Sequence, residues 1–394
     1  MRKHYLLAGL GLSSLTAAVL AQGQAPIVIS ASVAVTGNAA SLGASEANMI
    51  SLLEKRINAA GGVGGRPLKI NVYDDNSDPQ KAVLNVRKGI IEDRAVAVIC
   101  CTTTPLSLAA KDTATRSKVT MMSMAATASI VEPPAQNQWI FKTPPSDKVM
   151  VQATLRDMQA RKFKRLAFIG FADAYGEGGL TGVQQYLSRF GLELVATEKF
   201  NRTDTDTTAQ ATRIVASKPD VVLVWAIPPG AVTAHRSLIA AGFKGQIYQS
   251  YGVTNPDFLR LGGKDVEGTL IQALPIAVYD QLAPNVANRS ALDDIMKSYP
   301  AAYSGQMPSS FTGHAWDAVS LLVEAVNRAL KAGGDPARLE AFRKSVRDEL
   351  EGIRGFQGVS GTFNLSKTDH VGLSSNIAQL VTVKDGKYVL AGSR

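Results

Sequence analysis

Short runs of β-branched and aliphatic residues alternate along this chain with longer stretches whose apolar positions recur every three or four residues. Residues 27–30 read as a strand and 41–60 as an amphipathic helix stopped by Gly61-Gly62, which together make a βα unit. A strand over 69–73 leads into a helix to about Glu92, with Asp78 as its N-cap and Pro79 in its first turn. Strands over 96–101 and 119–123 flank a third helix that starts near Pro105. The alternation restarts with a strand over 166–171 and a helix over 176–189. A strand over 221–225 then precedes a helix over 229–241, and one over 245–250 precedes a short helix over 256–261. Two such sets predict an α/β fold of two lobes, each a parallel sheet covered on both faces.

Periodicity is lost around Lys142-Thr143-Pro144-Pro145 and again near Leu274-Pro275, which marks crossovers between the lobes. Beyond them the pattern predicts helices over 311–331 and 336–351, a strand pair within 358–364, and a hairpin about Lys384-Asp385-Gly386-Lys387. Open α/β sheets bind ligands at the carboxyl ends of their strands, so the loops there are where chemistry is expected.

The first residues change the picture of where the protein works. Arg2 and Lys3 precede an uncharged apolar run from Tyr5 to Leu20 that ends at Val19-Leu20-Ala21. This is the pattern of a secretory signal peptide over residues 1–21, cleaved after Ala21 and too short to span a bilayer. No cysteine stands at the cleavage site to carry a lipid. About 370 residues remain, enough for two domains, and export predicts a periplasmic location.

With 45% hydrophobic and 19% charged residues, the composition is that of a packed globular protein. The formal charge of +9 is spread out, and its one tight cluster, Arg161-Lys162-Phe163-Lys164-Arg165, reads as a solvated helix end. No nucleic-acid partner is expected. Cys100 and Cys101 are neighbours on a strand and read as buried thiols, because a ring between adjacent cysteines is strained and rare. His235, His314 and His370 have no ligand spacing, so no metal or other cofactor is expected.

Thr102-Thr103-Thr104-Pro105 is the most specific loop, with Thr104 placed as a helix N-cap and Pro105 as the first helical residue. Three hydroxyls beside a helix start suit a ligand carboxylate, and the same threonines serve equally well as caps that bind nothing. Ala125, Ala126 and Thr127 follow the next strand and permit close approach to the backbone. On the other lobe Tyr175 follows the first strand, while Trp225, Ile227, Tyr251 and Gly252 end the next two and form an uncharged wall.

Catalytic patterns fare poorly. Gly61-Gly62-Val63-Gly64-Gly65 follows a helix and precedes a strand, the reverse of a dinucleotide loop, and reads as a turn. Asp74-Asp75 at a strand end reads as a solvated or capping pair, and no nucleophile elbow is present. An enzymatic role is not expected. A two-lobed hydrolase or transferase is the alternative that turnover of a bound solute would reveal.

In order and spacing, "INAAGGVGGRPLKINVYDDNSDPQKAV", "CCTTTPLSLAAKD" followed by "MMSMAAT", "FADAYGEG" and "FTGHAWDAV" carry a resemblance. The chain resembles the periplasmic solute-binding proteins of the branched-chain amino acid type that serve ATP-driven importers. The resemblance implies two Rossmann-like lobes joined by a three-strand hinge, the type I periplasmic binding fold, closing on one small molecule. It implies a first lobe of 25–142 with 276–372, a second of 143–275 with 373–394, and a third hinge strip near Ser374-Ser375. It places Thr103, Thr104, Ala125 and Thr127 in the segments that bind the ligand carboxylate, and Tyr175 at the cleft tyrosine. The implied partners are a small carboxylate or amino acid and an ABC transporter permease in the inner membrane. A periplasmic sensor reporting to a receptor or regulator is the other role open to such a fold.

The sequence departs from the amino-acid-binding pattern in three places, one of them Ile227-Pro228, where the family has a more polar, aromatic stretch. Tyr251 stands where a glutamate meets the ligand ammonium, leaving Asp173 and Glu46 as the acids within reach of one. Asn76 and Ser77 stand where the family has a cysteine, which removes the partner of a structural disulfide. A buried ammonium without a carboxylate is costly, so the expected solute is an aliphatic or aromatic acid, with an amino acid as the runner-up.

Overall fold

The computed structural model describes residues 24–392, so the leader expected over 1–21 lies outside the described residues. The first part of the chain runs β1 (Ile27–Val33), α1 (Ala40–Ala59), β2 (Leu68–Asp74), α2 (Pro79–Ile91), β3 (Ala97–Cys100), α3 (Thr104–Arg116), β4 (Thr120–Ser123) and β5 (Ile140–Lys142). These strands form one parallel sheet in the order β2-β1-β3-β4-β5. The second part runs α4 (Asp147–Ala160), β6 (Arg165–Phe171), α5 (Ala174–Tyr186), β7 (Glu193–Phe200), α6 (Thr208–Ala216), β8 (Val221–Trp225), α7 (Gly230–Ala240), β9 (Gln246–Gln249), α8 (Pro256–Gly262) and β10 (Leu270–Ala273). The chain then makes α9 (Arg289–Ala302), α10 (Ser310–Lys331), α11 (Leu339–Glu351), the two-residue strands β11 (Phe356–Gln357) and β12 (Thr362–Phe363), and the hairpin β13 (Gln379–Lys384) with β14 (Lys387–Leu390). The second sheet has the order β14-β13-β10-β9-β8-β6-β7, parallel except for the hairpin, which adds antiparallel to β10.

The central strands of each sheet are too apolar to face water. All five residues of β8, Val-Val-Leu-Val-Trp, are buried, as are all four of β3. The chain passes between the sheets after Lys142, after Ala273, and between Phe363 and Gln379. The first and third passages touch, the Lys142 amide donating to the His370 carbonyl at 3.1 Å, and the Thr143 hydroxyl ties the first to α10 by donating to the His314 carbonyl at 3.1 Å.

Local expectations hold where one residue type has one mechanism. Asp78 accepts from the Gln80 and Lys81 amides and Pro79 opens α2. The Gly61-to-Gly65 run is a turn in which all four glycines have positive φ, and Asp385-Gly386 makes the tight hairpin turn. Three expectations need correction. Cys100 and Cys101 are not free thiols but are bonded to each other, the cis peptide between them bringing their Cα atoms to 3.0 Å. Asp75 is not solvated: it is buried, accepts from the Ser32 hydroxyl at 3.1 Å and the Ser77 amide at 3.0 Å, and burial pushes its carboxyl up to about 6. Its neighbour Asp74, on the opposite face, accepts from the Thr36 hydroxyl at 2.6 Å. The last long helix begins at Leu339 rather than at Pro336, and the small strand pair lies at 356–363.

At the position where a cysteine is implied by resemblance, Ser77 does the tethering. Its hydroxyl donates to the Thr36 carbonyl at 2.9 Å and accepts from the Ala39 amide at 3.1 Å, joining the β2–α2 turn to the β1–α1 loop without a covalent bond.

Candidate ligand-binding site

In each sheet the strand order reverses at one point, between β1 and β3 in the first and between β6 and β8 in the second. The loops at the carboxyl ends of strands diverge there and leave a crevice. The Thr102-to-Thr104 loop follows β3, Tyr175 follows β6, and Ile227 follows β8. A small cavity joins them, lined by Thr102, Thr103, Thr104, Ala125, Ala126, Tyr175, Ile227, Tyr251 and Gly252, nine of the expected residues. Leu42, Met124, Arg202 and Phe311 complete it. No acidic side chain is among the lining residues.

The three threonines have three different jobs. Thr102 is tied into the protein: its hydroxyl donates to Glu46 at 2.5 Å and accepts from the Ala34 amide at 3.0 Å. The Thr104 hydroxyl pairs with that of Thr127 at 3.0 Å. Thr103, not Thr104, is the N-cap of α3, one residue earlier than expected, because Thr104 already has helical geometry and Pro105 is the second helical residue. The Thr103 side chain makes no capping hydrogen bond, so its hydroxyl is the uncommitted one beside the helix start.

Two expected residues are displaced from the cavity. Thr127 faces a larger hollow of about 760 Å³ bordered by Ser129, Lys148, Glu177 and Asp369. Trp225 is buried behind Tyr175, with ring centroids 5.8 Å apart, and packs on Gly179, where a β-carbon would strike the indole. Trp225 therefore supports the wall from behind rather than forming it. Gly252 is required at the surface itself, since a β-carbon there would come within 2.8 Å of the Tyr175 hydroxyl and 3.0 Å of Ile227.

Neither of the two acids that sequence left for an ammonium lines the cavity. Glu46 is fully buried behind Thr102, and burial pushes its carboxyl up to about 8, so it is mostly protonated at neutral pH. Asp173 uses one oxygen to cap α5, accepting from the Tyr175 and Gly176 amides, and the other to hold Arg202 Nε at 2.5 Å. Tyr251 is buried with its ring edge-on to His314, which burial pushes down to about 3 and keeps neutral.

Arg202 is the cavity residue that sequence reasoning missed. It stands just past β7, and its guanidinium lies 4.5 Å from the centre of the Phe171 ring. Its Nη1 is buried and has no hydrogen-bond partner among the described residues. An orphaned buried donor costs about 1–3 kcal/mol, more when charged, which makes this atom a place where an acceptor is wanted. The signal is weak: the strand 193–200 is half polar without alternation, and Arg202 lies just past its carboxyl end.

The chain was compared with known proteins. The family model described as "Periplasmic binding protein" matches residues 26–387. The chain belongs to that family. Among curated relatives it is 25% identical over 338 residues to the Leu/Ile/Val-binding protein homolog 3 of Brucella melitensis, covering 84% of each chain. It is 27% identical over 325 residues to the leucine-, isoleucine-, valine-, threonine- and alanine-binding protein of Pseudomonas aeruginosa, covering 82% of this chain and 83% of that one. Among solved structures, an extracellular ligand-binding receptor from Rhodopseudomonas palustris superposes with a TM-score of 0.88 at 32% identity, over 93% of this chain and all of the other. The type I periplasmic binding fold expected from the sequence is thus the fold of this family member.

Proposed function

We propose that this family member is the solute-capturing component of an ABC importer, not an enzyme, and that its solute is a small aliphatic or aromatic carboxylate. The observation that carries the reading is the charge of the cavity wall: hydroxyls and one cation line it, with no acid to meet an α-ammonium. The uncommitted Thr103 hydroxyl at the start of α3 suits a carboxylate, and Tyr175, Tyr251, Ile227, Leu42, Met124 and Phe311 suit an apolar body.

The cavity as it stands measures about 30 Å³, room for a water or two and not for an organic acid. Admission then requires the lobes, 25–142 with 276–372 and 143–275 with 373–394, to part about the three strips that join them. The solute would favour the closed arrangement by bridging both, which a permease in the inner membrane would read. The apparent leader supports delivery to the periplasm.

A branched-chain amino acid is the second reading, favoured by the names of the relatives. Mass spectrometry of small molecules extracted from the exported protein separates the two. A monocarboxylate without a primary amine is expected, and leucine, isoleucine or valine would overturn the proposal.

A further inference from the structure

We propose that Arg202 is the cationic half of an anion clamp between the lobes, with Thr103 opposite it as the neutral half. The proposal rests on the carboxylate reading above and deepens it: the solute must carry an anionic group, and an ammonium beside that group is repelled.

Three observations lead there. Arg202 and Thr103 line the small cavity together, and both also line a second hollow, where Asp173 stands already committed to Arg202 and the start of α5, so they face the same stretch of the gap from opposite lobes. The guanidinium is already oriented, held by Asp173 through Nε and laid against the Phe171 ring, so little side-chain freedom is lost when an anion binds. Its Nη1 is buried without a partner, and the Thr103 hydroxyl is free of the capping bond that its position offers.

The pairing with Asp173 does not cancel this role. Both Asp173 oxygens are spent, one on Nε and one on the start of α5, which leaves Nη1 without a partner among the described residues. An anion seated between Arg202 and Thr103 would bond to both lobes at once and couple capture to closure. A zwitterionic amino acid would bring its ammonium toward a wall that holds a cation and no acid.

The test compares acids with their neutral amides. Titration calorimetry on the exported protein would use 3-phenylpropanoate and 4-methylpentanoate, then 3-phenylpropanamide and 4-methylpentanamide, against wild type, Arg202→Gln, Arg202→Lys and Thr103→Val. Wild type should prefer each acid to its amide at least tenfold. Arg202→Gln should weaken acid binding at least tenfold and abolish that preference while amide binding stays the same. Arg202→Lys keeps the charge without the fork and should keep the preference at lower affinity, which also serves if the glutamine variant does not fold. Thr103→Val should weaken both acids. Acid binding unchanged in Arg202→Gln would overturn the clamp and leave the carboxylate reading standing. Failure of wild type to bind either acid would overturn both.

Discussion

The Tyr175 hydroxyl donates to Ser250 Oγ at 3.0 Å, and Ser250 Oγ donates in turn to the Ala226 carbonyl at 2.9 Å, so the polar end of this cleft tyrosine is consumed inside its own lobe. What Tyr175 offers the cavity is the ring. Tyr175→Phe should cost no more than about 1.5 kcal/mol of solute affinity, the scale of one net hydrogen bond. Tyr175→Ala should cost more, because it also strips the cover from Trp225. Calorimetry on both variants checks this, and a phenylalanine variant as impaired as the alanine variant would show that the hydroxyl reaches the solute.

Neighbouring threonines should respond differently to the same change. Thr103→Val should lower solute affinity by about 1–3 kcal/mol and leave stability nearly unchanged, since its hydroxyl is uncommitted. Thr102→Val should instead lower the Tm, because it orphans both Glu46 and the Ala34 amide. Paired thermal melts and titrations read the two effects separately. Equal losses of affinity with no loss of Tm would contradict the division of labour.

Much of the fold was legible in the sequence because each signal had one cause: Asp78-Pro79 can do little but open a helix, and Asp385-Gly386 little but turn a hairpin. The site was legible to the level of loops, since the carboxyl ends of β3, β6 and β8 must converge where the strand order reverses. It was not legible to the level of atoms. Whether a threonine binds solute or caps a helix depends on which partner its hydroxyl has already found, and Thr102 found Glu46, which lies 56 positions away in sequence. Trp225 ends its strand as expected but stands one layer too deep, which only the packing of Gly179 reveals. Arg202 follows an edge strand that does not alternate and carries Glu193, Glu198 and Lys199, so the hydrophobic pattern does not point to it.

Buried carboxyls give the protein a definite response to pH. Glu46 is pushed up to about 8 and Asp317 to about 7 by burial, against ordinary values near 4. The folded state therefore holds protons that the unfolded chain releases, and stability falls as pH rises toward 8. His314 and His235, pushed down to about 3 and 4, act in the opposite direction, and only below their ordinary value of 6.5. Between pH 6.5 and 8 the carboxyls act without that opposition, so the wild-type Tm should drop across this window. Glu46→Gln should flatten the drop, and an unchanged slope in that variant would show that Glu46 is ionised in the folded protein.

The proposed capture of a solute in a cavity of about 30 Å³ requires the unliganded chain to open. Small-angle scattering should show a larger radius of gyration without solute than at saturation, the difference arising at the passages after Lys142 and Ala273 and before Gln379. Equal radii would mean that the solute enters by side-chain movement alone.

The central claim is that the site takes a carboxylate and not an α-amino acid. Titration calorimetry of the protein without residues 1–21 against leucine and phenylalanine, beside 4-methylpentanoate and 3-phenylpropanoate, tests it most directly. The account predicts binding of at least one deaminated acid and at least tenfold weaker binding of the matching amino acid. Tight binding of leucine with no binding of 4-methylpentanoate would contradict it and would require an acid at the ammonium position that the cavity wall does not contain.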